Sequence, residues 1–100
     1  MVDGMHAQFR ARYGEPGYSA RQLSLMSEEL GIRRRYNEFL EAFKKSGLAV
    51  DLRKEGFRYT GRNLGYLISS SKLDELVRFM RLPTSRSDLE DAAERLNIIY

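Results

Sequence analysis

The chain contains no cysteine and a single histidine, His6. The first absence removes disulfide frameworks, thiolate nucleophiles and cysteine metal sites together. The second leaves no multi-histidine metal cluster and makes a histidine-based nucleophile pair a poor expectation. No glycine pattern suited to cradling phosphate is present, because the stretch from Gly61 to Gly65 lacks the lysine and the serine or threonine that must follow. The carboxylates Glu28/Glu29, Asp74/Glu75 and Asp88/Glu90/Asp91 are neighbours on predicted helix surfaces rather than partners across a cleft. The sequence therefore reads as that of a binding protein, not an enzyme, and implies no cofactor and no metal. No apolar run approaches the ~20 residues of a membrane span, and the first residues lack a signal-peptide apolar core. A soluble, cytoplasmic protein with no membrane contact is expected.

What is present is charge, unevenly placed. The chain has 100 residues, enough for one domain with a modest core, and a net charge of +3. Residues 1–62 hold 12 Lys and Arg against 8 Asp and Glu, whereas residues 63–100 hold 5 against 6. Arginine dominates the cations, and its planar fork suits phosphates and guanine edges better than the point charge of lysine.

Hydrophobic spacing supplies the elements. Met5, Phe9 and Tyr13 recur every four residues and predict a first helix over 5–13, with Arg10 and Arg12 turned outward. Gly14-Glu15-Pro16-Gly17 breaks it, and Tyr18-Ser19 offers a strand residue and an N-cap. Leu23, Met26 and Leu30 form one stripe of a helix over 20–30, ended by Gly31 in a left-handed conformation. Either Ser19 or Ser24 could cap the turn at its start. A further helix is predicted over 33–46, with Tyr36, Phe39, Leu40 and Phe43 inward and Gly47 as its stop. Its outward face carries Arg34, Glu38, Glu41 and Lys45, with Arg35 and Asn37 on the flanks.

Leu48, Val50 and Leu52 alternate with polar neighbours, as do Phe57 and Tyr59, which predicts a two-stranded hairpin with Arg53, Lys54 and Arg58 around its tip and Gly56 at positive φ. Beyond it, Leu73, Leu76, Val77 and Met80 predict an amphipathic helix over 71–81 that Pro83 follows. Ser87-x-x-Glu90 has the capping-box pattern, opening a last helix with Leu89, Ala92, Ala93 and Leu96 inward.

Met26-Ser27-Glu28-Glu29-Leu30-Gly31-Ile32, the Tyr36/Leu40/Phe43 ladder and Gly47-Leu48-Ala49-Val50 together resemble the winged helix-turn-helix superfamily of DNA-binding regulators, over about residues 18–60. The expected fold is α+β and mainly α, a single domain over 1–100. Its first part, 1–62, would be a winged helix-turn-helix with a two-stranded wing, and 63–100 a helical extension. The resemblance implies that the helix beginning at Arg33 enters the major groove of double-stranded DNA while the hairpin touches backbone or minor groove.

Three cations at the start of a helix oppose its dipole, so helix stability does not explain Arg33-Arg34-Arg35. The competing structural explanation is neutralisation by Glu28 and Glu29. On the DNA reading, Arg34, Arg35, Asn37 and Glu38 face base edges. Arg33, Lys45, Arg53, Lys54 and Arg58 then face phosphates or the minor groove. Glu38 would accept from cytosine N4, and Glu41 pairs with Lys45 at i, i+4. The spacing of Tyr36, Phe39, Phe43, Phe57 and Tyr59 makes them core rather than stacking platforms, while Tyr13, Tyr18 and Tyr66 fit either the domain rim or a phosphate contact. The stripe Leu73, Leu76, Val77, Met80 and the ending Ile98-Ile99-Tyr100 predict a homodimer through the C-terminal helices. The alternative function is a winged helix that docks to a protein partner within a larger assembly, since one scaffold serves both uses.

Overall fold

Residue 4 begins a helix because Met5 and Phe9 bury one face of it; α1 runs Gly4–Tyr13 in the computed structural model, which describes residues 4–57 and 65–98. The short strand β1 (Gly17–Tyr18) leads into α2 (Ala20–Glu29). Ser19 is its N-cap: its hydroxyl accepts from the Gln22 N–H at 3.1 Å, and the Gln22 side chain accepts from the Ser19 N–H at 2.8 Å. That reciprocal box settles the choice between Ser19 and Ser24. α2 ends as Gly31, at φ 78°, lets its own N–H reach Glu28 O and that of Ile32 reach Ser27 O.

α3 spans Tyr36–Ser46 and α4 Leu73–Met80, the latter preceded by a 3₁₀ turn over Ser70–Lys72; α5 spans Arg86–Arg95. The cap of α5 is Ser85, whose hydroxyl accepts from the Asp88 N–H at 3.2 Å. The expected box at Ser87 is therefore displaced: Ser87 lies within the helix, and Glu90 is engaged by Arg86 at 3.0 Å.

The sheet corrects the predicted hairpin. β2 (Val50–Asp51) pairs with β3 (Tyr66–Ser69), later in the chain than the expected partner strand, and the antiparallel order is β1-β3-β2. Gly17 faces Ser69, Tyr18 faces Ile68, Val50 faces Leu67 and Asp51 faces Tyr66. Asp51 diverts the chain, since Oδ1 accepts from the Arg53 and Lys54 N–H groups and starts one helical turn. Gly56, at φ 74°, closes it, with the Phe57 N–H returning to Leu52 O. Gly56 thus has the positive φ expected of it, at the end of a helical turn instead of a hairpin tip. Phe57 then turns inward. The hairpin is longer than predicted, with residues 52–65 connecting β2 to β3; Arg58, Tyr59, Thr60 and Gly61 lie outside the described residues, as do Ile99 and Tyr100.

Successive residues of a strand point to opposite faces, and β3 uses this to separate two apolar clusters. Ile68 joins Leu23, Met26, Phe39, Phe43, Leu73, Leu76, Leu89 and Ala92 among the helices. Leu67 joins Met5, Phe9, Leu52 and Phe57 under α1. The fold is α+β and mainly helical, with five α-helices and a three-stranded antiparallel sheet among the described residues. The stripe predicted to drive dimerisation is covered by its own chain: Leu73 and Leu76 are fully buried, and Val77 and Met80 pack against the same cluster. Among the described residues no helix is long and apolar enough to cross a membrane.

Candidate nucleic-acid interface

Between α2 and α3 the chain folds back along α2, and Ser24 fixes the return by donating its hydroxyl to Arg34 O at 3.1 Å. α3 consequently starts at Tyr36, three residues later than its apolar spacing suggested. Arg33, Arg34 and Arg35 therefore lie before the helix and not in its first turn. That shift eases the conflict with the helix dipole, and the pairing of Arg34 with Glu38 offsets part of what remains. Arg35 is the N-cap, with an extended backbone, and donates its N–H to Glu38 Oε2 at 2.9 Å. Glu38 in the first turn is also favourable to the dipole.

The three arginines differ in what they touch. Arg34 is half-buried; its Nη2 donates to Met80 O at 3.2 Å, and its Nη1 lies 3.5 Å from Glu38 Oε1. Met80 is the last residue of α4, so this guanidinium satisfies a terminal carbonyl and sits at the negative end of that helix. Arg33 and Arg35 are exposed. The explanation by Glu28 and Glu29 does not hold in the form expected, since Glu29 pairs with Arg95 at 3.1 Å and, among the described residues, Arg34–Glu38 is the ion pair these arginines make. Arg33, Arg34 and Arg35 rim a surface concavity of about 740 Å³ against α2, with Glu28 and Glu38 on its border.

On α3, Phe39, Ala42 and Phe43 are buried, while Asn37, Glu38, Glu41, Lys44 and Lys45 are exposed. Tyr36 departs from its expected core position and is 41% exposed, with the Arg21 guanidinium 5.3 Å from its ring centroid. Its place at the first helical residue, ahead of the buried period that starts at Phe39, explains the departure. Arg21 and Lys44 were not singled out by the sequence, which assigned Tyr36 to the core; Lys44 was detectable as a second cation in the last turn. Glu41 and Lys45 form no ion pair with each other or with any other described residue, contrary to their spacing.

Arg53 and Lys54 are exposed on the helical turn after β2. Arg12, expected merely to face outward, holds that turn from α1, donating from Nη1 to Glu55 O at 2.6 Å with its guanidinium 4.2 Å from the Phe57 ring centroid. The site thus rests on the 33–35 segment and the outer face of α3, while the turn carrying Arg53 and Lys54 packs through Leu52 and Phe57 on the cluster under α1. Arg58 falls outside the described residues. His6 is buried, with Nε2 3.0 Å from Gln22 Oε1. Among the described residues no group of three or more His, Asp or Glu is placed to hold a metal.

No family model, curated protein or solved structure matches this chain. The functional reading accordingly rests on the geometry above.

Proposed function

We propose that this chain is a winged helix-turn-helix domain that binds double-stranded DNA in the cytoplasm as a small transcriptional regulator, with α3 as recognition helix and the β2–β3 connection as a basic wing. The observation that carries the reading is the division of α3. One face is sealed into the core by Phe39, Ala42 and Phe43, and the other presents Asn37, Lys44 and Lys45 to solvent directly after the exposed Arg33 and Arg35. The order helix, strand, helix, helix, strand, strand, with β3 central, supports it, as does the long connection that residues 52–65 make between β2 and β3.

Arg35 and Asn37 address base edges on this reading, and Arg33, Lys45, Arg53, Lys54 and Arg58 grip phosphates or the minor groove. Arg34 and Glu38 hold the start of α3 in place. A protein-docking use of the same face is the second reading, favoured by Glu41 on that face and by Phe79 beside it. Alanine substitution separates base reading from backbone grip. Arg35→Ala is expected to cost about 1 to 3 kcal/mol on a site selected from a random duplex library and much less on random duplex. Lys54→Ala is expected to weaken all duplexes alike. If neither changed duplex affinity while folding stayed intact, the recognition-helix assignment would fall and protein docking would stand in its place.

A further inference from the structure

α4 meets α3 at an angle that leaves a groove between them of about 360 Å³. Its floor is apolar, made by Ala42, Phe79 and Met80, and Phe79 is 49% exposed. Its rim carries both signs of charge. Arg34 and Glu38 are satisfied by each other, but Glu41 and Lys45, one helical turn apart, have no ionic partner among the described residues. A polyanion would meet Glu41 and an apolar floor here, so on the DNA reading a duplex touches Asn37 and Lys45 at the rim and leaves the floor uncovered. A surface holding one unpartnered acid and one unpartnered base beside an apolar side chain and a recess is self-complementary under a two-fold axis, as an isologous contact requires.

We propose that two copies of this chain pair through the α3–α4 groove, the Phe79 of each entering the recess beside Ala42 and Met80 of the other, and the Glu41 of each meeting the Lys45 of the other. The seam lies at the C-terminal end of α4, where Phe79 and Met80 follow the buried stripe of Leu73 and Leu76 by one turn. It covers Asn37 and Lys45, so pairing and duplex binding exclude one another; this last consequence rests on the DNA reading, whereas the seam does not.

Sedimentation velocity on the full chain, from micromolar to submillimolar concentration, tests it. A reversible dimer is expected. Phe79→Ser, Glu41→Lys and Lys45→Glu each weaken it by about ten-fold or more, because burying like charges opposite one another is costly. Glu41→Lys combined with Lys45→Glu restores it, with circular dichroism unchanged throughout. A chain that stays monomeric over the whole range overturns the proposal, and so does a dimer that the single reversals leave untouched or the double reversal does not restore. Duplex added to the dimer distinguishes the two readings. A dimer with the charge-reversal pattern that excess duplex dissociates supports both readings; one that excess duplex neither dissociates nor binds supports the seam and counts against DNA reading, and a chain monomeric over the whole range that binds duplex does the opposite.

Discussion

Individual side chains do more fastening in this molecule than their surface positions suggest. Gly17 is buried opposite Ser69, and a Cβ there would lie 2.7 Å from Phe9 Cδ1 and 2.8 Å from Cε1. Phe9 is fully buried and stacks with Phe57, so the ring has nowhere to move. Gly17→Ala is therefore expected to destabilise the fold by about 1 to 3 kcal/mol, seen as a lower urea midpoint with an unchanged slope. Glu15 fastens another junction: Oε1 accepts from the Ser71 N–H at 2.7 Å and the Ser70 hydroxyl at 3.0 Å, and Oε2 from the Ser71 hydroxyl at 2.9 Å. Burial works to raise its pKa, but the hydrogen bonds from Ser71 and Ser70 and the charge of Arg86 outweigh it, so the carboxyl sits below its ordinary value of 4.5. A depressed carboxyl stabilises the fold above its unfolded-state pKa, and that contribution is lost as pH falls through the folded value. Thermal melts should show Glu15→Gln less stable than the natural chain at neutral pH, with the gap closing as pH drops below the usual carboxylate range; a gap independent of pH would contradict this role.

Among the elements, helix ends carry most of the information. Arg81, the residue after α4, sits at φ 55°, while its neighbour Leu82 donates to Val77 O. A left-handed conformation strains a long side chain, and Asn97 takes the same role after α5 more cheaply. Arg81→Gly should accordingly raise stability by about 0.5 to 1 kcal/mol in denaturant titration. Gly56→Val should do the reverse for the turn after β2, straining the backbone and displacing Arg53, Lys54 and Phe57. Retained helical circular dichroism with weaker duplex binding is the expected outcome, and unchanged binding would mean that this turn is no contact. The same ends explain what was legible beforehand. α1, α2 and the inward residues Phe39 and Phe43 follow from apolar spacing, and the glycine stops at Gly31 and Gly47 mark their boundaries. β3 was missed because Tyr66-Leu67-Ile68-Ser69 is covered on both faces and so lacks the alternation that marks a half-exposed strand; the short apolar run bounded by Gly65 was the available signal. Of the site, the arginine cluster and the outer face of α3 were legible. The attachment of Arg34 to Met80 was not, since local spacing carries no trace of a contact 46 residues away.

Across the whole molecule, the helical extension does not stand apart from the part that precedes it. Leu89, Ala92 and Ala93 of α5 lie in one cluster with Leu23 and Met26 of α2 and Phe39 of α3, so a chain stopped after Arg62 would lose part of the core supporting α3. Any test of binding therefore needs the full chain. Arg33, Arg35, Lys44, Lys45, Arg53 and Lys54 are all exposed, and a DNA reader that grips with such cations draws its affinity largely from releasing counterions. The most direct measurement is fluorescence anisotropy of a labelled duplex titrated with full-length protein over a series of salt concentrations. With about four phosphates neutralised, log affinity is predicted to fall linearly against log salt with a slope of about −3 to −4, and Lys54→Ala should reduce its magnitude by about one unit. The absence of duplex binding at low salt, or an affinity indifferent to salt, would contradict the account.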